Sequence, residues 1–236
     1  YGVGLLFFPE NINYITGIIL EFSVPVAVIS LMWVSIYNGN NPLSLSLVIL
    51  DTILSPFLIP ATLKILVGSN IKMDTAGMMK ELVFMIALPA VIAMCLNEFS
   101  HGKVMETWPK KLAPFSKMCL IFVVTSNSSK VSPYIKHLNG ERLAVTAIIL
   151  VLSASGYAIG WLIAIVTKQN KESTVSMIYG SGMRNISAGA VIASAYFPAE
   201  CLFPVMIGTL FQQILAAFYG SLVRRIQMSQ CKKEDI

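Results

Sequence analysis

Three ionisable side chains stand inside otherwise apolar runs: Glu21, Asp51 and Arg184. Each lies about 8 to 11 residues from the start of its run, or ~12 to 16 Å along a helix, which is close to the middle of a bilayer. A charge at that depth costs at least ~2.5 kcal/mol and faces a partner or a water-filled cavity, so a functional role is the default reading. Arg184 offers a planar five-donor fork suited to a carboxylate or similar anion, with Asp51 or Glu21 as counter-charge. The same residues also read as a structural ion pair, Arg184 with Asp51, that holds two segments together, and the two readings are compatible. Glu21 has a further chemistry open to it, the carriage of a proton through a transport cycle, against plain local hydration at a helix edge.

The elements that position these groups follow from composition. Hydrophobic residues make up 56% of the 236 and charged residues only 12%, about half the charged share of a soluble domain. Apolar runs separated by turn residues predict seven spans, at roughly 12–37, 43–67, 77–96, 112–135, 143–167, 173–197 and 199–223. The fold class is all-α, a polytopic membrane protein. Tyr1–Phe8 reads as the tail of an earlier span, so upstream spans are expected to precede it. Two spans are interrupted near their middles, by Ser23-Val24-Pro25 and by Tyr179-Gly180-Ser181-Gly182. Pro lacks an N–H and Gly carries an entropic penalty, so matching interruptions in two helical hairpins point to discontinuous helices whose ends present unpaired backbone groups to a solute. Three spans lie between the hairpins, an odd number, which makes the repeat inverted.

Other classes lose support. The net charge of +5 comes from residues between or beside apolar runs, not from one basic face, so no nucleic-acid partner is expected. The four cysteines are scattered, with no C-x-x-C pair, and no cofactor or metal cluster is predicted. G-x-S-x-G, H-E-x-x-H and Walker loops are absent, so the protein does not read as an enzyme. The string Thr125-Ser126-Asn127-Ser128-Ser129 could line a cavity or pack helices closely. The expected partners are a small organic anion and the lipid bilayer. Basic residues such as Lys103, Lys168, Lys171, Arg224 and Arg225 collect on one side with the C-terminus, which places that side in the cytoplasm, of a plasma-membrane protein.

Gly182-Met183-Arg184-Asn185, followed by Tyr196-Phe197-Pro198 and Phe211-Gln212-Gln213, resembles the bile acid:sodium symporter family. Val24-Pro25, Ser30, Gly39-Asn40, Leu43-Ser44-Leu45 and Ser55-Pro56 resemble that family's other broken span and the span after it. The resemblance implies a core domain of two inverted repeats, residues 1–67 and 140–225, a panel domain at 77–135 that rocks against it, and a cytoplasmic tail at 226–236. It implies uptake of organic anions, bile-acid-like or keto-acid-like, commonly with sodium. Binding residues carried over by position are Gly182, Met183, Arg184 and Asn185 on one side and Ser30 and Ser44 on the other, the last two being the sodium candidates. The chain departs from the family's sodium pattern. A Ser-Asn pair is Ser30-Leu31 here, a Thr on the next span is Val48, a Glu is Gly180, and the Gln of the motif is Arg184. A guanidinium in that space repels sodium by ~4 kcal/mol at ~4 Å and effective ε ~20. Arg184 is therefore expected to replace the bound cation, with transport coupled to protons through Glu21 or Asp51, or uncoupled. An auxin-efflux-carrier-like permease and a non-transporting anion receptor are the competing readings.

Overall fold

The structure, a computed structural model, describes residues 1–68, 74–137 and 139–234. It is helical throughout, and among the described residues no strand forms beyond one isolated bridge. The helices are α1 (Gly2–Phe7), α2 (Ile12–Ser23), α3 (Ser30–Ile36), α4 (Asn41–Val67), α5 (Thr75–Leu82), α6 (Leu88–Phe99), α7 (Lys103–Lys136), α8 (Gly140–Val166), α9 (Lys171–Gly182), α10 (Ile186–Tyr196) and α11 (Ala199–Glu234). A π turn, Val83–Ala87, joins α5 to α6. Pro89, the second residue of α6, has no N–H to return to the preceding turn, which accounts for the widened backbone there.

Short amide and carboxyl side chains start most of these helices. Asn11, Asn40, Asp74, Asn139, Asn170 and Asn185 each accept a hydrogen bond from the backbone N–H three residues on, at 2.8–3.3 Å. Each satisfies one of the N–H groups that a helix start leaves without a partner, a need that is acute where no water can substitute. Among the described residues, four helical stretches are long and apolar enough to cross a membrane: Asn41–Val67, Thr75–Phe99, Gly140–Val166 and Ala199–Arg225. Large side chains such as Leu50, Leu54, Phe57 and Ile65 on α4 are exposed, an arrangement that suits hydrocarbon rather than water.

The first predicted interruption stands where expected, between α2 and α3. The second lies later than expected: α9 continues through Tyr179-Gly180-Ser181-Gly182, and the chain leaves the helix at Met183-Arg184-Asn185. At Gly182 the Tyr157 ring of α8 packs into the space that a side chain would take. The predicted span at 112–135 is also longer than expected, since α7 begins at Lys103.

Two apolar cores flank the interruptions. The larger gathers Tyr14, Ile18, Leu20, Ile59, Ile149 and Phe203 with their neighbours from α2, α4, α8 and α11. The smaller is aromatic: Trp33 of α3 and Tyr37 just after it stack on Tyr179 of α9, with ring centroids 6.1 and 6.0 Å away, and Tyr157 of α8 stacks on Tyr219 of α11 at 5.0 Å. The polar tips are satisfied, with Tyr179, Tyr157 and Tyr219 donating to the carbonyls of Ala216, Gln212 and Ala154, so these rings tie α3, α8, α9 and α11 into one body.

Candidate functional site at the helix crossing

The two interruptions meet. Val26 and Arg184 form an isolated antiparallel bridge. Ala27 N–H donates to the Met183 carbonyl at 3.1 Å and Asn185 N–H to the Pro25 carbonyl at 2.7 Å. Backbone that has left a helix inside a membrane must find partners in the protein, and here each extended stretch supplies them to the other. The N–H groups left over are taken by side chains from the following long helices. Asp51 Oδ2 on α4 accepts from Val26 N–H at 2.6 Å, and Gln212 Oε1 on α11 accepts from Arg184 N–H at 2.9 Å. The two units are alike in their first halves, α2 and α9 having 12 residues each, and unlike in their second, α3 having 7 and α10 having 11.

Gln212 is thus a support of the crossing that the sequence motif alone did not reveal. Gln212→Leu leaves Arg184 N–H without its partner in a part-buried position, which costs about 1–3 kcal/mol; the expected outcome is a lower thermal midpoint in detergent, whereas Gln212→Glu retains the acceptor and most of the stability.

The Arg184 guanidinium reaches back to the C-terminus of α9, where Nη2 donates to the Ser181 carbonyl at 3.2 Å. A cation at a helix C-terminus complements both an unpaired carbonyl and the negative end of the dipole. One donor is so used, and the others have no partner among the described residues. Among the described residues the expected Arg184–Asp51 ion pair is not formed; Asp51 Oδ2 accepts from Val26 N–H instead. Asp51 also opens on a groove of about 450 Å3 lined by Leu47, Leu54, Gly180 and Ser181 among others.

The remaining predicted residues are distributed around this point. Asn185 Oδ1 caps α10 through Ala188 N–H. Met183 is buried in the aromatic core, and Gly182 lies against the Tyr157 ring, where a Cβ would overlap it. Ser30 and Ser44 are buried, and both Oγ atoms lack hydrogen-bond partners. Val48 is buried, and at Gly180 a Cβ would meet only the end of Leu47, at 3.5 Å; Leu31, Val48 and Gly180 supply no side-chain oxygen. Glu21 is buried, and its carboxyl fills the space left by Gly208 on α11. In the Thr125–Ser129 string, the side chains of Asn127 and Ser128 lie outside the described residues.

Gly156 and Gly160 were also not singled out from sequence. They form a small-xxx-small face on α8, onto which Ser181 of α9 docks, its Oγ donating to the Gly156 carbonyl at 2.9 Å. The four-residue spacing was the available signal.

Residues 4–228 match the SBF-like CPA transporter family. The chain belongs to that family. As a member of the SBF-like CPA transporter family it is an integral membrane protein with a transport function and is not an enzyme. The match agrees with the resemblance to bile acid:sodium symporters and favours it over an auxin-efflux carrier. Similar proteins include "Uncharacterized protein YbaS" of Bacillus subtilis (strain 168), 40% identical over 228 residues, covering 97% of this chain and 74% of that protein. "Probable sodium/metabolite cotransporter BASS1, chloroplastic" of Oryza sativa subsp. japonica is 23% identical, with 89% of this chain and 52% of that protein covered. "Uncharacterized sodium-dependent transporter YocS" of Bacillus subtilis (strain 168) is 21% identical, with 89% and 66% covered. The chain thus spans about half to three quarters of the lengths of these relatives.

Proposed function

We propose that this chain is the core of a secondary active transporter of small organic anions that works by alternating access without sodium. The observation that carries the reading is the position of Arg184: its backbone is fixed in the crossing of two interrupted helices, while most of its guanidinium donors have no partner among the described residues. A fixed cation of this shape recognises carboxylates through paired hydrogen bonds, and paired broken helices are where transporters bind their solutes. In this reading the two hairpins are inverted repeats, and 77–135 belongs to a panel that moves against them in the plasma membrane, with the C-terminus in the cytoplasm.

Two relatives carry sodium in their names. The oxygens available here argue for a different design. Sodium needs a cage of oxygens; Ser30 and Ser44 offer two hydroxyls, while Leu31, Val48 and Gly180 offer no side-chain oxygen. Arg184 then stands in for the bound cation.

The full-length protein in proteoliposomes, offered labelled mono-, di- and keto-carboxylates in a potassium medium, is expected to take up at least one of them. Failure with every anion would favour a non-transporting receptor. Sodium itself is tested by thermal unfolding in sodium against potassium at equal ionic strength, since a ligand of the native state raises its apparent stability. The expected result is the same midpoint in both, and a sodium-specific rise would overturn the sodium-free design.

A further inference from the structure

The partners of the two carboxyl groups near the crossing separate their roles. Asp51 is committed, with Oδ2 holding Val26 N–H at 2.6 Å. Glu21, in the last turn of α2, is 2% exposed and is the one carboxylic acid in the buried class among the described residues. Its Oε2 has no hydrogen-bond partner among the described residues. The space it fills is a notch in α11 made by the missing side chain of Gly208: a Cβ there would overlap the carboxyl carbon and Oε1 and lie 3.2 Å from Oε2. Leu20 and Val24, beside Glu21 in the chain, and Val205 and Ile207, before Gly208, belong to the larger apolar core.

The charges around it are equally specific. α2 packs on α1, α4, α10 and α11. α1 carries no ionisable side chain. On α4, Asp51 is occupied by Val26 and Lys64 lies in the last turn. On α10, Tyr196 donates to Glu81. On α11, Glu200 is held by Asn11 and Asn13 at the opposite end of α2, next to Cys201, while Tyr219 donates to Ala154 and Arg224 and Arg225 lie farther along the helix. The cation fixed at the crossing is Arg184, bridged to Val26, five residues beyond Glu21.

We propose that Glu21, seated in the Gly208 notch, is the proton-binding site of this transporter and that its occupancy is linked to anion binding at Arg184. The inference rests on the organic-anion reading above. With Arg184 free, its positive field favours the Glu21 carboxylate. A bound anion cancels that field, and Glu21 takes one proton from water to become the neutral acid. Anion and proton therefore each tighten the binding of the other, as linkage requires, and the pair crosses with the internal charge of the core balanced.

The test is infrared difference spectroscopy of the purified full-length protein stepped from alkaline to acid pH, reading the C=O stretch of a neutral carboxylic acid. The expected result is a buried-acid band that shifts when the protein is labelled with 13C-glutamate, is lost in Glu21→Gln and is retained in Asp51→Asn. Isotope labelling identifies the acid as a glutamate even where a variant folds poorly, and Glu21 is the buried one among the described residues. Absence of the band, its persistence in Glu21→Gln, or its shift with labelled aspartate instead would overturn the proposal. The measurement needs no substrate, so its failure rejects the proton site alone. Failure of uptake with the Glu21 band intact rejects the transport reading alone.

Discussion

Arg184→Gln lowers anion uptake by about 100-fold or more while leaving the protein folded. Removing one member of a buried, hydrogen-bonded charge pair costs about 2–5 kcal/mol, and each 1.4 kcal/mol is about tenfold in affinity. The fold survives because Arg184 contributes to the crossing through its backbone: the bridge to Val26 and the N–H bond to Gln212 are indifferent to the side chain. Arg184→Lys keeps the charge but loses the planar fork, so uptake should fall to an intermediate level. Initial uptake rates in proteoliposomes, read beside thermal midpoints, check this. A variant that transports normally would remove the basis of the proposed site, and one that unfolds would mean the guanidinium acts as a brace.

Gly160→Val has the opposite signature, a loss of stability. A Cβ on Gly160 would come within 2.5 Å of the Met177 carbonyl oxygen and would overlap the Ser181 hydroxyl. The first obstacle is backbone and cannot turn aside, so α8 and α9 must separate along their length. Overpacking of this kind costs about 1–3 kcal/mol, and β-branching in a tight helix contact places the change at the upper end. Gly140→Ala serves as the control, since a Cβ there meets nothing within 4 Å. Thermal unfolding followed by tryptophan emission should show a marked fall in the midpoint for the first and little change for the second.

The helical spans were legible because long charge-free runs have few other structures open to them. The first interruption was legible because Pro25 cannot continue a helix. The second was placed too early, on the glycines. Gly180 and Gly182 remain helical, and at Gly182 the missing side chain makes room for the Tyr157 ring of α8, a role that cannot be read from the local sequence. The three buried ionisable positions were visible as breaks in hydropathy, but their partners were not. Asp51 was expected to face Arg184 and instead caps the backbone of Val26. Gly208 looks like any other small residue of a membrane helix until Glu21 is seen lying against it. Pairings between distant segments have no periodicity to announce them, which is why most hydrogen bonds at the crossing cannot be read from the sequence.

The aromatic stack beside the crossing has an optical consequence. Trp33 stands among tyrosines, with its indole N–H donating to Gln213 at 3.0 Å and its ring stacked on Tyr37 and Tyr179. Light absorbed by those tyrosines passes almost completely to an indole that close, and the transfer is lost only when the rings separate well beyond contact. Because α3 contributes the indole and α9 contributes Tyr179, the molecule contains its own donor and acceptor across the two interrupted helices. Its ultraviolet emission is a native gauge of whether they travel together.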